Sequence, residues 1–145
     1  MLRIQVRCDY KKFTEWGDAI SKRLIVVTRE MAQDLVNDIN TSAPVDTGAL
    51  SHSCYVSMME FSGYAEALDA LKRLNPKCKD TPIAEVPSPT KPDQANVGIV
   101  APYWQYVEYG TVYAPAQPFV NPAIQRSQER IRAKIWEVTT TMVVD

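Results

Sequence analysis

Asp46-Thr47-Gly48 is the run of residues in this chain that comes nearest to covalent chemistry. A carboxylate on a glycine turn, set beside the same carboxylate of a second copy, shares one proton with it and activates water for attack on a peptide bond. Cys54 lies two positions from His52, the single histidine, and a thiol next to an imidazole is the other pairing from which a nucleophile is made. Neither has the surroundings its chemistry needs. Cys8, Cys54 and Cys78 are far apart in sequence, with no Cys-x-x-Cys or Cys/His cluster, so the spacing of a metal site is missing and free, mostly buried thiols are expected. A phosphate-binding glycine-rich loop is missing as well, and no cofactor is expected.

The aspartic protease remains a remote alternative, contradicted by context. Val45-Asp46-Thr47-Gly48-Ala49 follows a long helical pattern ending in Ala43-Pro44, whereas the protease turn is held between strands. Leu50-Ser51-His52 does not continue the protease pattern, and of a later apolar-apolar-Gly segment only Val97-Gly98 comes near. The structural reading is preferred. The Asp46 carboxylate would accept the N–H groups of Gly48 and Ala49, with Gly48 free to take a positive φ, and His52 would be solvated or capping.

The elements that must position this turn follow from patterning. Leu2, Ile4, Val6 and Cys8 alternate with Arg3, Gln5 and Arg7, the period of a strand over 2–8. Phe13, Trp16, Ile20, Leu24, Val27, Met31, Leu35 and Ile39 then recur at steps of three and four, which predicts one apolar side of a long helix over about 10–41. Pro44 stops it, because the residue before a proline is driven out of the helical region. Cys54, Val56 and Met58 alternate with Ser53, Tyr55 and Ser57 as a strand with one wet face, and 65–74 is rich in helix formers.

Between 75 and 94 lie five prolines, Pro76, Pro82, Pro87, Pro89 and Pro92, so neither a helix nor a central strand fits there. A long extended loop is expected, used as an arm that orders on a neighbouring subunit or left without fixed structure in the free chain. Val97, Ile99 and Ala101 mark another strand, Pro102 opens a short helix closed by Gly110, and Asn121-Pro122 is read as the cap and first residue of a last helix along Ile124, Ile131, Ile135, Val138 and Met142. The expected architecture is α+β: a small, mainly antiparallel sheet packed against a long N-terminal helix, with a short aromatic helix and a C-terminal helix, over one domain of 1–145.

Composition limits the partners. The chain has 145 residues, 46% hydrophobic and 23% charged, and its 16 basic and 17 acidic side chains leave a net charge of -1. That supplies no general field for a phosphate backbone, so nucleic acid is not the expected primary partner. No apolar run approaches the roughly 20 residues that cross a bilayer, and no membrane partner is expected.

Four aromatic rings, Tyr103, Trp104, Tyr106 and Tyr109, crowd seven positions, more than one short helix buries against a small sheet. Some are therefore expected to face a partner. Glu108, between them, is read either as solvated or as pairing with Arg126 or Arg130 of its own or an adjacent chain. The interface candidates are Trp104, Tyr106, Glu108, Tyr109, Gly110 and Thr111. Pro118, Phe119 and Pro122 are expected to bend the chain into the last helix, and Arg126, Glu129, Arg130, Arg132 and Lys134 form its charged face.

Three stretches in series carry a resemblance. Ala43-Pro44-Val45-Asp46-Thr47-Gly48-Ala49-Leu50-Ser51-His52-Ser53, then Tyr103-Trp104-Gln105-Tyr106-Val107-Glu108-Tyr109-Gly110-Thr111, then Pro118-Phe119-Val120-Asn121-Pro122-Ala123 resemble the phage tail-component family typified by the tenth gene product of lambda-like siphophages. That family shows A-P-V-D-T-G-x-L-x-x-S, Y-x-x-Y-V-E-[FY]-G-T and P-F-[LM]-x-P-A in this order. The chain departs from it at Val120, at Asn121 where a basic residue is common, and in a long insertion over 60–94.

The resemblance implies a structural virion protein of a tailed bacteriophage and not an enzyme. It implies a neck subunit, for head-tail joining or tail completion, that forms a ring homo-oligomer, a hexamer at the tail side. Its neighbours would be the portal or head-completion adaptor proteins above and tail terminator or tail-tube proteins below, with DNA passing through the lumen without sequence-specific binding. A tail terminator or minor tail protein is the alternative. The implied location is the virion, and the host cytoplasm during assembly.

Overall fold

The computed structural model describes residues 10–141; the strand expected over 2–8 lies outside the described residues. Helix α1 spans Tyr10–Ser42, strand β1 Cys54–Ser57, α2 Tyr64–Leu74, β2 Asn96–Ile99, α3 Trp104–Tyr109 and α4 Val120–Thr141. The strands pair antiparallel, with Cys54 opposite Ile99, Tyr55 opposite Gly98, Val56 opposite Val97 and Ser57 opposite Asn96. The molecule is α+β as the patterning predicts, with a sheet of two strands among the described residues.

At about 1.5 Å per residue the 33 residues of α1 make a rod about 50 Å long. It has two packing faces where the patterning shows one. Ala32, Val36, Ile39 and Ala43 enter the core with Leu50, Val56 and Val100, while Met31 and Asp34 line a shallow surface pocket together with Ile131 and Lys134 of α4. Ala32 and Ala43 of the first face are small and carry weak signals in a hydropathy pattern. They nonetheless let the sheet approach closely, and Trp16, in the expected stripe, stays exposed.

β1 is buried along its whole length, a correction to the half-wet strand expected from alternation. The face assigned to water is covered by α2 and by the proline-rich segment. The Tyr55 ring meets Tyr64 of α2 edge to face at 5.5 Å between centroids. Its hydroxyl accepts the Val86 N–H at 2.9 Å, and a Cβ on Gly98 would lie 2.5 Å from the same ring. Residues 75–95 form no helix or strand. Their middle is nonetheless tied to this chain: the Ile83 N–H donates to the Val100 carbonyl at 3.0 Å, the Tyr64 hydroxyl to the Ile83 carbonyl, and the Asn96 amide to the Pro87 carbonyl at 2.8 Å.

α4 runs antiparallel to α1, since Arg126 donates to Ser42 and Arg130 pairs with Asp38. Its buried residues are Ala123, Ser127 and Val138, whereas Ile124 and Ile135 of the expected stripe are exposed. Small side chains at 123 and 127 allow the two axes to come close, which moves the isoleucines to the flank. Two helix starts also differ from expectation. α3 begins at Trp104, leaving Pro102 in the preceding turn, and α4 begins at Val120, which places Asn121 and Pro122 inside its first turn.

Candidate docking surface

The turn after α1 is built around Gly48, whose φ of +79° lies in the left-handed region that favours glycine. Its carbonyl accepts three donors: the His52 N–H at 3.2 Å, the Ser51 hydroxyl at 2.9 Å and the His52 Nδ1–H at 2.8 Å. The Ala49 N–H goes to Thr47 Oγ1 at 3.3 Å, not to Asp46 as the sequence suggests. A threonine hydroxyl two residues back closes the same kind of turn as an aspartate. Asp46 and Val45 point outward, and the loop that carries them follows a helix.

Glu108 is neither solvated nor paired with Arg126 or Arg130. It is 2% exposed. Its Oε2 accepts the N–H groups of Phe119 at 2.7 Å and Val120 at 2.9 Å, and its Oε1 accepts that of Asn121 at 2.9 Å. The first four N–H groups of a helix have no partner within it. At α4 three of them go to Glu108, and the fourth position is Pro122, which has no N–H to satisfy. Burial disfavours the Glu108 charge, but the three backbone donors outweigh it and hold the carboxyl below its ordinary range. Phe119, at the same junction, is 1% exposed in the core.

This cap fixes where α3 sits, and α3 in turn forms one wall of a groove of about 500 Å³. Pro44, Thr47 and Leu50 line one side, and Tyr103, Tyr106 and Val107 the other, so segments far apart in the chain share one surface. Asp46 and Asn75 add polar atoms at this site. Tyr103 has its phenol pKa raised, by burial first and then by the neighbouring Cys78 and Asp46. Of the interface candidates, Tyr106 and Tyr109 are well exposed and Trp104 is half-buried against the core. Gly110 ends α3 with φ +77°. Thr111 begins a loop that closes back when the Gln117 N–H reaches the Val107 carbonyl at 2.8 Å. Glu108 leaves the interface set because it is enclosed.

Sequence reasoning missed two features of this site. The role of Glu108 had a faint signal: Pro118-Phe119 offers no side-chain cap before α4, so an acceptor has to arrive from elsewhere. The exposure of Val112 and Tyr113, at 96% and 98%, had none. Among the described residues no group of three or more His, Cys, Asp or Glu could hold a metal ion. Among the same residues no helix is long and apolar enough to cross a membrane.

Residues 10–110 match a family described as "Bacteriophage HK97-gp10, putative tail-component". The chain belongs to this family. The match includes the first two resemblance segments up to Gly110 and ends before Pro118-Phe119. No curated protein and no solved structure matches the chain. As a member of the HK97-gp10-like tail-component family, the chain is a structural component of a bacteriophage particle, assembled with other virion proteins.

Proposed function

We propose that the chain is a neck subunit, joining head to tail or completing the tail, which assembles as a six-membered ring between the portal or connector and the tail. The observation that carries this reading is the convergence of the Gly48 turn with Tyr103 and Tyr106 on one groove, beside which Tyr109 is also exposed. Tyrosines with an apolar body and a polar tip favour interfaces over bulk water. The near-neutral net charge of -1 suits a lumen through which DNA slides without being held.

In this reading the contact set is Tyr106, Tyr109, Gly110 and Thr111 with the 44–48 turn, and Trp104 supports it from behind. The ring meets portal or head-completion adaptor proteins on one side and tail terminator or tail-tube proteins on the other, after assembly in the host cytoplasm. The test is Tyr109→Ala in the phage, since Tyr109 is exposed and its loss leaves the core intact. Blocked particle assembly with an unchanged thermal unfolding midpoint is the expected result; normal particles would overturn the interface assignment. An image of the particle with this subunit located at the tail tip, or at the terminator position, would replace the neck by that address.

A further inference from the structure

Val112 and Tyr113 are the most exposed large apolar residues described, and the backbone of the loop that carries them is hydrogen-bonded at its base. Thr111 Oγ1 accepts the N–H groups of Tyr113 at 3.2 Å and Ala114 at 3.1 Å, and the Thr111 N–H donates to the Ala114 carbonyl at 2.8 Å. Gly110 fixes the base of the loop, where a Cβ would lie 2.6 Å from the Ala116 backbone nitrogen. An apolar pair presented on such a tight turn has already lost much of the freedom that binding would otherwise remove.

The inner side of the same loop, at Thr111, Ala114 and Pro115, lines the 500 Å³ groove, while Val112 and Tyr113 are absent from its lining. The tip therefore does not fill its own groove, and each chain carries one unfilled knob and one unfilled socket. The socket suits the knob chemically. Pro44, Leu50, Val107 and Pro115 offer apolar contact, and Asp46, a carboxylate without a compensating cation in the lining, offers an acceptor for a phenol hydroxyl. A groove of this volume takes a ligand of drug size, which is room enough for two side chains.

We propose that the occupant of the groove is a second copy of this chain, which inserts its Val112-Tyr113 tip between the Gly48 turn and α3 in a head-to-tail contact. One contact satisfies both uncovered features, and a head-to-tail contact repeats until it closes as a ring or continues as a filament. The inference rests on the ring reading above and assigns that reading its contact.

The test uses the full chain in two variants. Val112→Ser/Tyr113→Ser removes the knob and keeps the socket; Ala114→Trp fills the socket and keeps the knob. Both changes fall on exposed positions, and circular dichroism with thermal melting verifies the fold. Wild type is expected to form a species larger than a dimer by sedimentation and native mass spectrometry. Each variant alone should associate at least about 30-fold more weakly, and an equimolar mixture of the two should give a 1:1 pair that goes no further.

A wild type that stays monomeric at about 100 µM, roughly a hundred times a micromolar Kd, or that stops at a dimer, overturns the head-to-tail contact. A knob-less variant that assembles as wild type overturns it too, while leaving the neck assignment standing. Absence of the chain from purified particles would remove the neck assignment instead, and is read independently of the mixing experiment.

Discussion

The Glu108 carboxylate on α3 caps the backbone of α4 at Val120, across twelve residues of chain. Through that one side chain the aromatic helix and the long C-terminal helix hold a fixed relation. Because α4 lies along α1 and the Gly48 turn hangs from the end of α1, the cap also sets the width of the groove.

Glu108→Gln is expected to destabilise the fold by about 2 to 4 kcal/mol, since an amide has one acceptor oxygen and turns an N–H toward donors that need acceptors. Urea unfolding measures the loss. A difference below about 0.5 kcal/mol would show that the cap contributes little.

The same group gives stability a pH dependence. Its folded pKa is lowered from the ordinary value of 4.5, so its contribution is fully present above that value and is lost as pH falls through the lower folded one. The urea midpoint of wild type is therefore expected to drop below pH 4.5, and the Glu108→Gln variant to drop less over the same interval. Parallel curves for the two would contradict the assignment.

Gly110→Ala meets both a positive φ and the Ala116 backbone. A cost of about 2 kcal/mol or more is expected, together with loosening of the 111–117 loop, read as faster amide exchange at Thr111 and Gln117. An unchanged melting temperature would mean that the loop relaxes freely.

Burial pushes the Cys54 thiol up to about 12, so the native protein should leave it unmodified by iodoacetamide at pH 8, whereas urea-unfolded protein reacts. Peptide mass spectrometry reads the site directly. Rapid native alkylation at Cys54 would show that β1 opens easily.

Breaking the Arg130–Asp38 pair by Arg130→Met should cost no more than about 1 kcal/mol, because the arginine side chain is half in water. Phe119→Ala, in contrast, removes a core aromatic and should cost about 3 to 5 kcal/mol. The two melting shifts, compared in one buffer, check that packing and not ion pairing joins α4 to the body.

Taken alone, the sequence was enough for features governed by near neighbours. Periodicity located α1 because steps of three and four residues are a local property of a helix, proline excluded regular structure from 75–94, and the Asp46-Thr47-Gly48 spelling marked a tight turn. The ordered segments around that turn and around Tyr103–Thr111 also carried the family resemblance, which the match over 10–110 supports.

Tertiary structure decided whatever depends on what packs across. Tyr55 alternates as if exposed, yet α2 and residues 83–86 cover it, and no local pattern reports a second covering layer. Glu108 has the composition of a surface charge, but three N–H groups eleven to thirteen residues away make it a buried cap. Asp46 spells a capping carboxylate, and the neighbouring Thr47 hydroxyl takes the bond because it reaches Ala49 first. Hydropathy is a property of a residue; burial and pairing are properties of distances, and those exist only once the chain has folded.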